Sequence, residues 1–332
     1  MEITSLVTGG AGFIGSHVTN HLIGLGHNVI VLDNLSGGVK KNVHPSAKLY
    51  VGSINDESLV NELFEKHKFT YVYHLAAYAA EGLSHFIRRF NYENNLMGSI
   101  NLINASVNHE VKCFVFTSSI AVYGTNTLPM KESNTPQPED PYGIAKYAIE
   151  MDLQNAHDMF GLDYIIFRPH NVYGSNQNIA DKYRNVIGIF MNQILAKQPL
   201  TIFGDGQQSR SFTYIDDVAP YISNSVYVQK AINQIFNIGN DSVHTVQELA
   251  EAVNDAMETK IEINKLEQRK EVLHAYADHS MFKEIFKPKQ FTSLHEGLSK
   301  IANWVRTNGH QPSQKFENIE ITKNLPNSWN HS

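Results

Sequence analysis

The chain has 332 residues, 42% of them hydrophobic, which is enough to bury a large core in one domain or in two lobes. Its formal charge of -6, with Lys and Arg scattered rather than massed, argues against a nucleic-acid partner. A single cysteine, Cys113, excludes an intrachain disulfide and a thiolate metal site, and the 16 histidines are dispersed without an HExxH-type pair, so no metal is expected.

The stretch Ile3 to Leu32 carries no Asp, Glu, Lys or Arg. Its Gly, Asn, His, Ser and Thr content would strand polar groups in hydrocarbon, and "MEITS" has no basic character, so neither a membrane span nor a signal peptide is expected. A cytoplasmic location is the expectation. Within this stretch "ITSLVTGG" reads as a strand running into "VTGGAGFIGSHV", which spaces Gly9, Gly12 and Gly15 as GxxGxxG at the start of a helix. Glycines there permit a tight turn and let the backbone approach a pyrophosphate, while the helix start offers free amides and a positive dipole end. The next strand, "HNVIVLDN", ends in Asp33, where a carboxylate can accept from a ribose diol. A carboxylate there repels a 2′-phosphate and "NLSGG" brings no arginine to receive one, so NAD is favoured over NADP.

Further apolar, β-rich runs follow: "AKLYVGS", "YVYHLAA", "CFVFTSS" and "DYIIFRP", each ahead of a helical or loop segment. This rhythm predicts an α/β fold with a doubly wound parallel sheet of the Rossmann type. It breaks between Ser175 and Arg210 and partly resumes at "IFNIG", so a smaller substrate-binding lobe is expected. The expected division is residues 1–174, with a return near 210–242, for NAD, and 175–209 with 243–310 for substrate. Residues 311–332 follow the last helical pattern, "LHEGLSKIANWV", as an arm on the surface or a disordered tail.

"DPYGIAKYAIE" reads as a helix start and places Tyr142 four residues before Lys146, on one face. A phenol serving as a base near neutral pH must fall by roughly three units from about 10, or about 4 kcal/mol. A neighbouring ammonium and the positive ring of oxidised nicotinamide both favour phenolate. A partner hydroxyl belongs at the C-terminal end of a sheet strand, where "CFVFTSSIAVYG" supplies Thr117, Ser118 and Ser119.

Taken together, "TGGAGFIG", "TSSIAVYG", "PYGIAK" and "RPHNVYG" resemble the extended short-chain dehydrogenase/reductase family, specifically its nucleotide-sugar epimerases, from the N-terminus to about Trp304. The resemblance implies Tyr142 as base, Lys146 as its partner and ribose ligand, and Ser119 as the hydroxyl steadying the sugar oxygen. For NAD it implies Gly9, Gly12, Phe13, Ile14, Gly15, Asp33, Asn34, Ser53, Ile54, Leu75, Ala76, Ala77, Asn95 and Pro169, with Tyr142 and Lys146. For substrate it implies Ser119, Asn171, Asn185, Val186, Thr201, Phe203 and Ala275, with Arg210 and Arg269 on the diphosphate, where a planar fork suits phosphate. A homodimer through helices near Asn91 to Val107 and Ile144 to Phe160 is implied as well.

Several positions depart from the family pattern. Ser53 replaces an aspartate that commonly meets the adenine amine, Ser211 replaces the aspartate of "RDF", and "RKEV" replaces "RxGE" around Arg269. The related 4,6-dehydratases carry an Asp-Glu pair after the hydroxyl; here Ile120 and Ala121 stand there, which removes the acid and base an elimination needs. Decarboxylating relatives keep a glutamate where Ala121 stands. Uronic-acid enzymes often carry an arginine where this chain has Asn178, so a neutral sugar is favoured, and a small Ala275 beside the sugar would admit an N-acetyl group.

The expected activity is therefore a NAD-dependent nucleotide-sugar 4-epimerase working through a transient 4-keto sugar. UDP-glucose and UDP-galactose are the first candidates, with the N-acetylhexosamine pair as a further option. The alternatives are a UDP-glucuronate 4-epimerase, another nucleotide-sugar oxidoreductase, or a non-enzymatic NAD-binding protein.

Overall fold

A computed structural model describes residues 3–269, 271–312 and 316–330. Seven strands form one wholly parallel sheet. In chain order the first six are β1 (Thr4–Thr8), β2 (Asn28–Asp33), β3 (Lys48–Val51), β4 (Tyr71–His74), β5 (Cys113–Thr117) and β6 (Tyr164–Pro169). The seventh, Gln234–Ile238, pairs with β6 at one edge, and the order across the sheet continues β6, β5, β4, β1, β2, β3. These are the seven apolar runs read from the sequence. Strand direction reverses its spatial progress between β1 and β4, which opens the crevice where ligands of such sheets bind.

Parallel strands are buried on both faces, so their side chains divide between two cores. Along β1, Leu6 packs into a core with Ile30, Leu32 and Phe114, while Val7 packs into the other with Val31, Val115 and Phe167. Helices α1 (Phe13–Gly24), α2 (Glu57–His67), α3 (Glu81–Ser84), α4 (Arg88–Tyr92) and α5 (Gly98–Asn108) follow in turn, with a π-helical turn at Glu93–Met97 joining α4 to α5. The 20-residue α6 (Pro141–Phe160) starts where the sequence says it should: the Asp140 carboxylate accepts from Gly143 N at 2.9 Å, and Pro141 takes the first turn, where a missing N–H costs nothing. It ends at Gly161, whose φ of 76° suits the left-handed cap.

α6 is pinned to the sheet by a buried charge network. Arg168 of β6 donates to both oxygens of Glu150, at 3.0 and 2.5 Å, and to the Tyr123 hydroxyl at 2.7 Å; the Ser118 hydroxyl also donates to Glu150. Glu150 lies one turn beyond Lys146, so this clamp sets the rotation of the helix face carrying Tyr142 and Lys146.

Outside the large sheet, further short strands pair with one another. Leu200–Phe203 pairs with Ile263–Leu266, and Ser209–Ser211 lies between Val243–Thr245 and His274–Ala275. Helix α7 (Val186–Leu195) crosses toward the cleft. Among the described residues, no helix is long and apolar enough to cross a membrane. Lys270 of "RKEV" and residues 313–315, 331 and 332 of the C-terminal segment lie outside the described residues.

Candidate active site

One cavity of about 690 Å³ lies along the C-terminal ends of the strands and continues to the short strands around Phe203, Arg210 and Leu266. At one end is the glycine turn. Gly9 has φ +72°, and a Cβ there would stand 2.8 Å from the backbone of Ala76; a Cβ on Gly15 would stand 2.1 Å from the Gly9 carbonyl. Only glycine permits this packing of α1 onto the strand ends. Helix α1 has no side-chain cap, so its first amides face the cavity unpaired by a cap. The Asp33 carboxylate accepts from Ala11 N at 3.0 Å and Leu35 N at 2.8 Å, which aims it at the cavity beside the turn. This cradle, with Phe13, Ile14, Asn34, Ile54, Leu75, Ala76, Ala77 and Pro169 on its walls, fits a dinucleotide. Thr117 adds a buried hydroxyl with no hydrogen-bond partner, on the cavity wall near its middle.

Ser119, Tyr142 and Lys146 all line this cavity. The Lys146 ammonium donates to the Thr117 carbonyl at 2.7 Å, lies 4.6 Å from the centre of the Phe116 ring and 5.8 Å from that of Tyr142. Both side chains are buried. The protein's own fields, however, oppose the ionisation expected from the sequence. Burial pushes the Tyr142 phenol up, the Glu81 carboxylate pushes it further, and a hydrogen bond with Ser119 pulls it back. Burial pushes Lys146 down to about 7, against the pull of Glu150. In the protein alone desolvation outweighs the i, i+4 cation, so the expected lowering of the phenol falls to the nicotinamide charge invoked beside the lysine.

Glu81 is a residue the sequence reading missed. It opens the one-turn α3 and lines the cavity, where its neighbours desolvate the carboxyl. Its carboxyl is pushed up by this desolvation and by Asp140, while Arg210 and Arg269 pull it down. Because an ionised Glu81 raises the phenol, Glu81→Gln is expected to lower the tyrosine pKa. If the phenol acts as a base, the limb of the kcat profile on which rate rises with pH then moves to lower pH, and a full pH–rate curve checks the direction.

At the far end stand Arg210 and Arg269. Arg210 donates to the carbonyls of Ser209, Leu273 and Val272 at 2.6–2.9 Å, and Arg269 stacks 4.6 Å over the Phe203 ring. Glu271 sits 3.7 Å from Arg210 and 3.3 Å from Arg269, so one carboxylate offsets part of this positive end. Asn171, Asn185, Val186, Thr201 and Phe203 line the same stretch. Glu271 and Arg184 were also missed. Arg184 pairs with Asp181 at 2.5 Å and lies 4.5 Å over the Tyr78 ring, on the cavity wall. A charged residue in a polar loop carries no periodicity or motif to reveal such an orientation.

Three expected ligand contacts do not line the cavity. The Ser53 hydroxyl turns back to accept from Asn55 N at 3.1 Å, closing a local turn, and its neighbours Gly52 and Ile54 line the wall instead. Asn95 is buried with its amide consumed: it accepts from Tyr78 N and Asn94 Nδ2 at 2.8 Å, and donates to Tyr78 O at 3.1 Å and Asn91 Oδ1 at 2.9 Å. It braces the loop after β4, and Asn94 reaches the cavity. Ala275 packs into a small core with Ile120, Tyr123 and Met130, while Val272 lines the cavity. The residue expected to gate sugar size therefore makes no contact with this cavity. Ala275→Tyr is instead expected to overpack this core and cost about 1–3 kcal/mol in a denaturant titration.

Comparison with known proteins agrees with this geometry. The NAD dependent epimerase/dehydratase family pattern matches residues 5–239. A putative UDP-glucose 4-epimerase from Methanocaldococcus jannaschii is 34% identical over 307 residues, covering 91% of this chain and 98% of its own. The crystal structure of UDP-glucose 4-epimerase with UDP-glucose from Thermotoga maritima superposes with a TM-score of 0.88 at 36% identity, over 92% of this chain and 99% of that one. UDP-N-acetylglucosamine 4-epimerase from Methanobrevibacter ruminantium M1, solved with UDP-N-acetylmuramic acid, gives 0.85 at 32% identity over 93% and 100%. A glycine cradle at the sheet's switch point, a phenol and an ammonium facing it, and this likeness over nearly the whole chain lead to one conclusion: the protein is an enzyme of the NAD-dependent epimerase/dehydratase family, the extended short-chain dehydrogenase/reductases, and its activity is that of an isomerase.

Proposed function

We propose that this enzyme interconverts UDP-glucose and UDP-galactose by epimerisation at C4. The observation that carries the reading is the meeting of Ser119, Tyr142 and Lys146 on the wall that also holds the glycine turn, with Ile120 and Ala121 filling the places of an eliminating acid and base.

In this reading residues 1–174 with the return at 210–242 hold NAD, and the remaining lobe holds the sugar nucleotide. The free amides of α1 would take the pyrophosphate, Asp33 a ribose diol, and Lys146 with the Thr117 hydroxyl the nicotinamide ribose. Bound there, NAD supplies the two-electron acceptor and donor for C4, and its positive ring adds the charge that favours phenolate. Tyr142 takes the proton of the 4-hydroxyl and later returns it, while Ser119 steadies the oxygen. Arg210 and Arg269 exchange Glu271 for the diphosphate, so that the 4-keto sugar can turn its other face while its nucleotide stays anchored. A neutral sugar fits this wall, because Asn178 brings no charge and the charge of Arg184 is already matched by Asp181.

The chain is also proposed to pair with a second copy. Met97, Ile144, Met151 and Phe160 are exposed apolar side chains on the α5 and α6 side of the molecule, more than a solvated face needs. Ile144→Arg with Met151→Arg is expected to give a monomer in sedimentation, where the parent sediments as a dimer.

The substrate is tested by incubating purified protein with UDP-glucose, UDP-N-acetylglucosamine and UDP-glucuronate, and identifying products by NMR. UDP-galactose from the first is expected. Turnover of UDP-glucuronate alone, a dehydrated 4-keto-6-deoxy product, or net accumulation of reduced nicotinamide would each replace this reading.

A further inference from the structure

The sequence left the C-terminal segment open between an arm and a disordered tail. The structure lays Phe316 to Asn330 back across the outer wall of the cavity. Phe316 packs against Phe90 and Tyr78, with ring centres 4.8 and 5.4 Å apart, and Trp329 packs edge-on to Tyr183 and Phe86 at 5.2 and 6.0 Å. Between them the Glu320 carboxylate accepts from Arg89 N at 2.7 Å and Phe90 N at 2.8 Å, at the start of α4, where the helix dipole favours an anion. Glu320 N and Ile321 N donate to the Phe86 carbonyl at 2.8 and 3.2 Å. An aromatic cluster, two charge-assisted bonds and two backbone bonds are more than a loosely draped tail makes.

What this segment covers gives it a role. Trp329 itself lines the cavity. Its indole edge stands 3.3 Å from where a Cβ on Gly82 would be, and the Arg269 guanidinium stands 4.0 Å from that same point. Gly82 belongs to α3, whose Ser84 hydroxyl accepts from Tyr142 N at 3.3 Å. The indole therefore lies between the arginine end and the tyrosine end, over the stretch where the sugar meets the diphosphate.

We propose that Phe316 to Asn330 is a strap belonging to the substrate site, and that Trp329 is a specificity-determining wall for the sugar–diphosphate part of the substrate. This rests on the nucleotide-sugar reading above. An indole offers a rigid apolar face to the C–H side of a hexose and excludes water beside the arginines. Wall contacts of this kind bind without touching the reacting atoms, so their loss falls on KM and leaves kcat in place.

The test uses the two tryptophans, Trp304 and Trp329. In a Trp304→Phe background Trp329 is the single emitter, and UDP-glucose is expected to shift its emission saturably. Trp329→Ala is expected to raise KM for UDP-glucose about tenfold, with kcat within about twofold, NAD content and Tm unchanged, and Trp329→Phe recovering most of the loss. Glu320→Ala, which frees the strap's anchor, is expected to raise KM in the same direction. Unchanged emission together with unchanged KM in an active enzyme overturns the strap alone. A fall in Tm and NAD content that accounts for the lost activity overturns it too, since that marks a packing role. A parent protein that neither binds UDP-glucose nor turns it over removes the substrate reading and the strap with it.

Discussion

Tyr142→Phe is expected to keep NAD and UDP-glucose bound, with Kd for each within about threefold, while turnover falls by roughly three orders of magnitude or more. The substitution removes one oxygen from a buried ring, and the phenol's pKa is set by burial, Glu81, a hydrogen bond with Ser119 and Asp140. The fold should therefore persist. Stability is expected to hold or rise slightly, because a buried hydroxyl is exchanged for a hydrogen. Equilibrium dialysis and single-turnover kinetics separate the two effects. A variant with more than a tenth of parental turnover would place the proton transfer on another group, and Glu81 and Asp140 are the carboxyls nearest in the electrostatics.

The second large effect is expected at Lys146, with opposite signs on stability and activity. Its ammonium is buried, held by one hydrogen bond to the Thr117 carbonyl, and pushed by burial from 10.5 down to about 7. A group held that far below its ordinary value costs the folded chain roughly 5 kcal/mol while charged. The sign follows from linkage. Between about pH 7 and pH 10 the unfolded chain keeps a proton that the folded chain has released, so stability of the parent rises with pH across that window. Below about pH 7 both states are charged and the penalty is complete.

Lys146→Met removes the penalty and leaves the Thr117 carbonyl unpaired, at about 1–3 kcal/mol. The larger number wins. At pH 6 the variant should be more stable by about 2–4 kcal/mol, with the advantage shrinking toward pH 10, and it should lose turnover by at least two orders of magnitude. Chemical denaturation across this pH range checks the crossover. A variant less stable than its parent at pH 6 would mean that Glu150, one turn away, already neutralises the lysine's cost.

How much of this was legible beforehand depends on what each residue's position obeys. β1 through β6 and the start of α6 follow from local rules: alternation and β-branched runs, a proline in the first turn, an aspartate cap, and glycines that a turn demands. The same rules place Tyr142 and Lys146 on one face. Ala275 packs with Ile120 and Met130 rather than on the cavity wall, a tertiary contact that no local pattern encodes. Asn95 lies in the π-helical turn at Glu93–Met97, a local irregularity invisible to helical spacing, and Asn94 is the residue on the cavity wall. Glu81, Glu271 and Trp329 come from three distant parts of the chain and converge through tertiary packing alone. The phenol's upward shift in the protein alone was hidden for a different reason. Sequence spacing reports a neighbouring charge, whereas burial, the larger cause, belongs to the folded molecule.

The central claim is that one hydrogen leaves C4 of the sugar and returns to the same carbon on its other face, with Tyr142 moving only the proton on oxygen. UDP-glucose deuterated at C4 tests it most directly. The account predicts UDP-galactose carrying the deuterium fully retained at C4, with no label lost to water. Product with protium at C4, or a 4-keto-6-deoxy product carrying the label at C6, would contradict it.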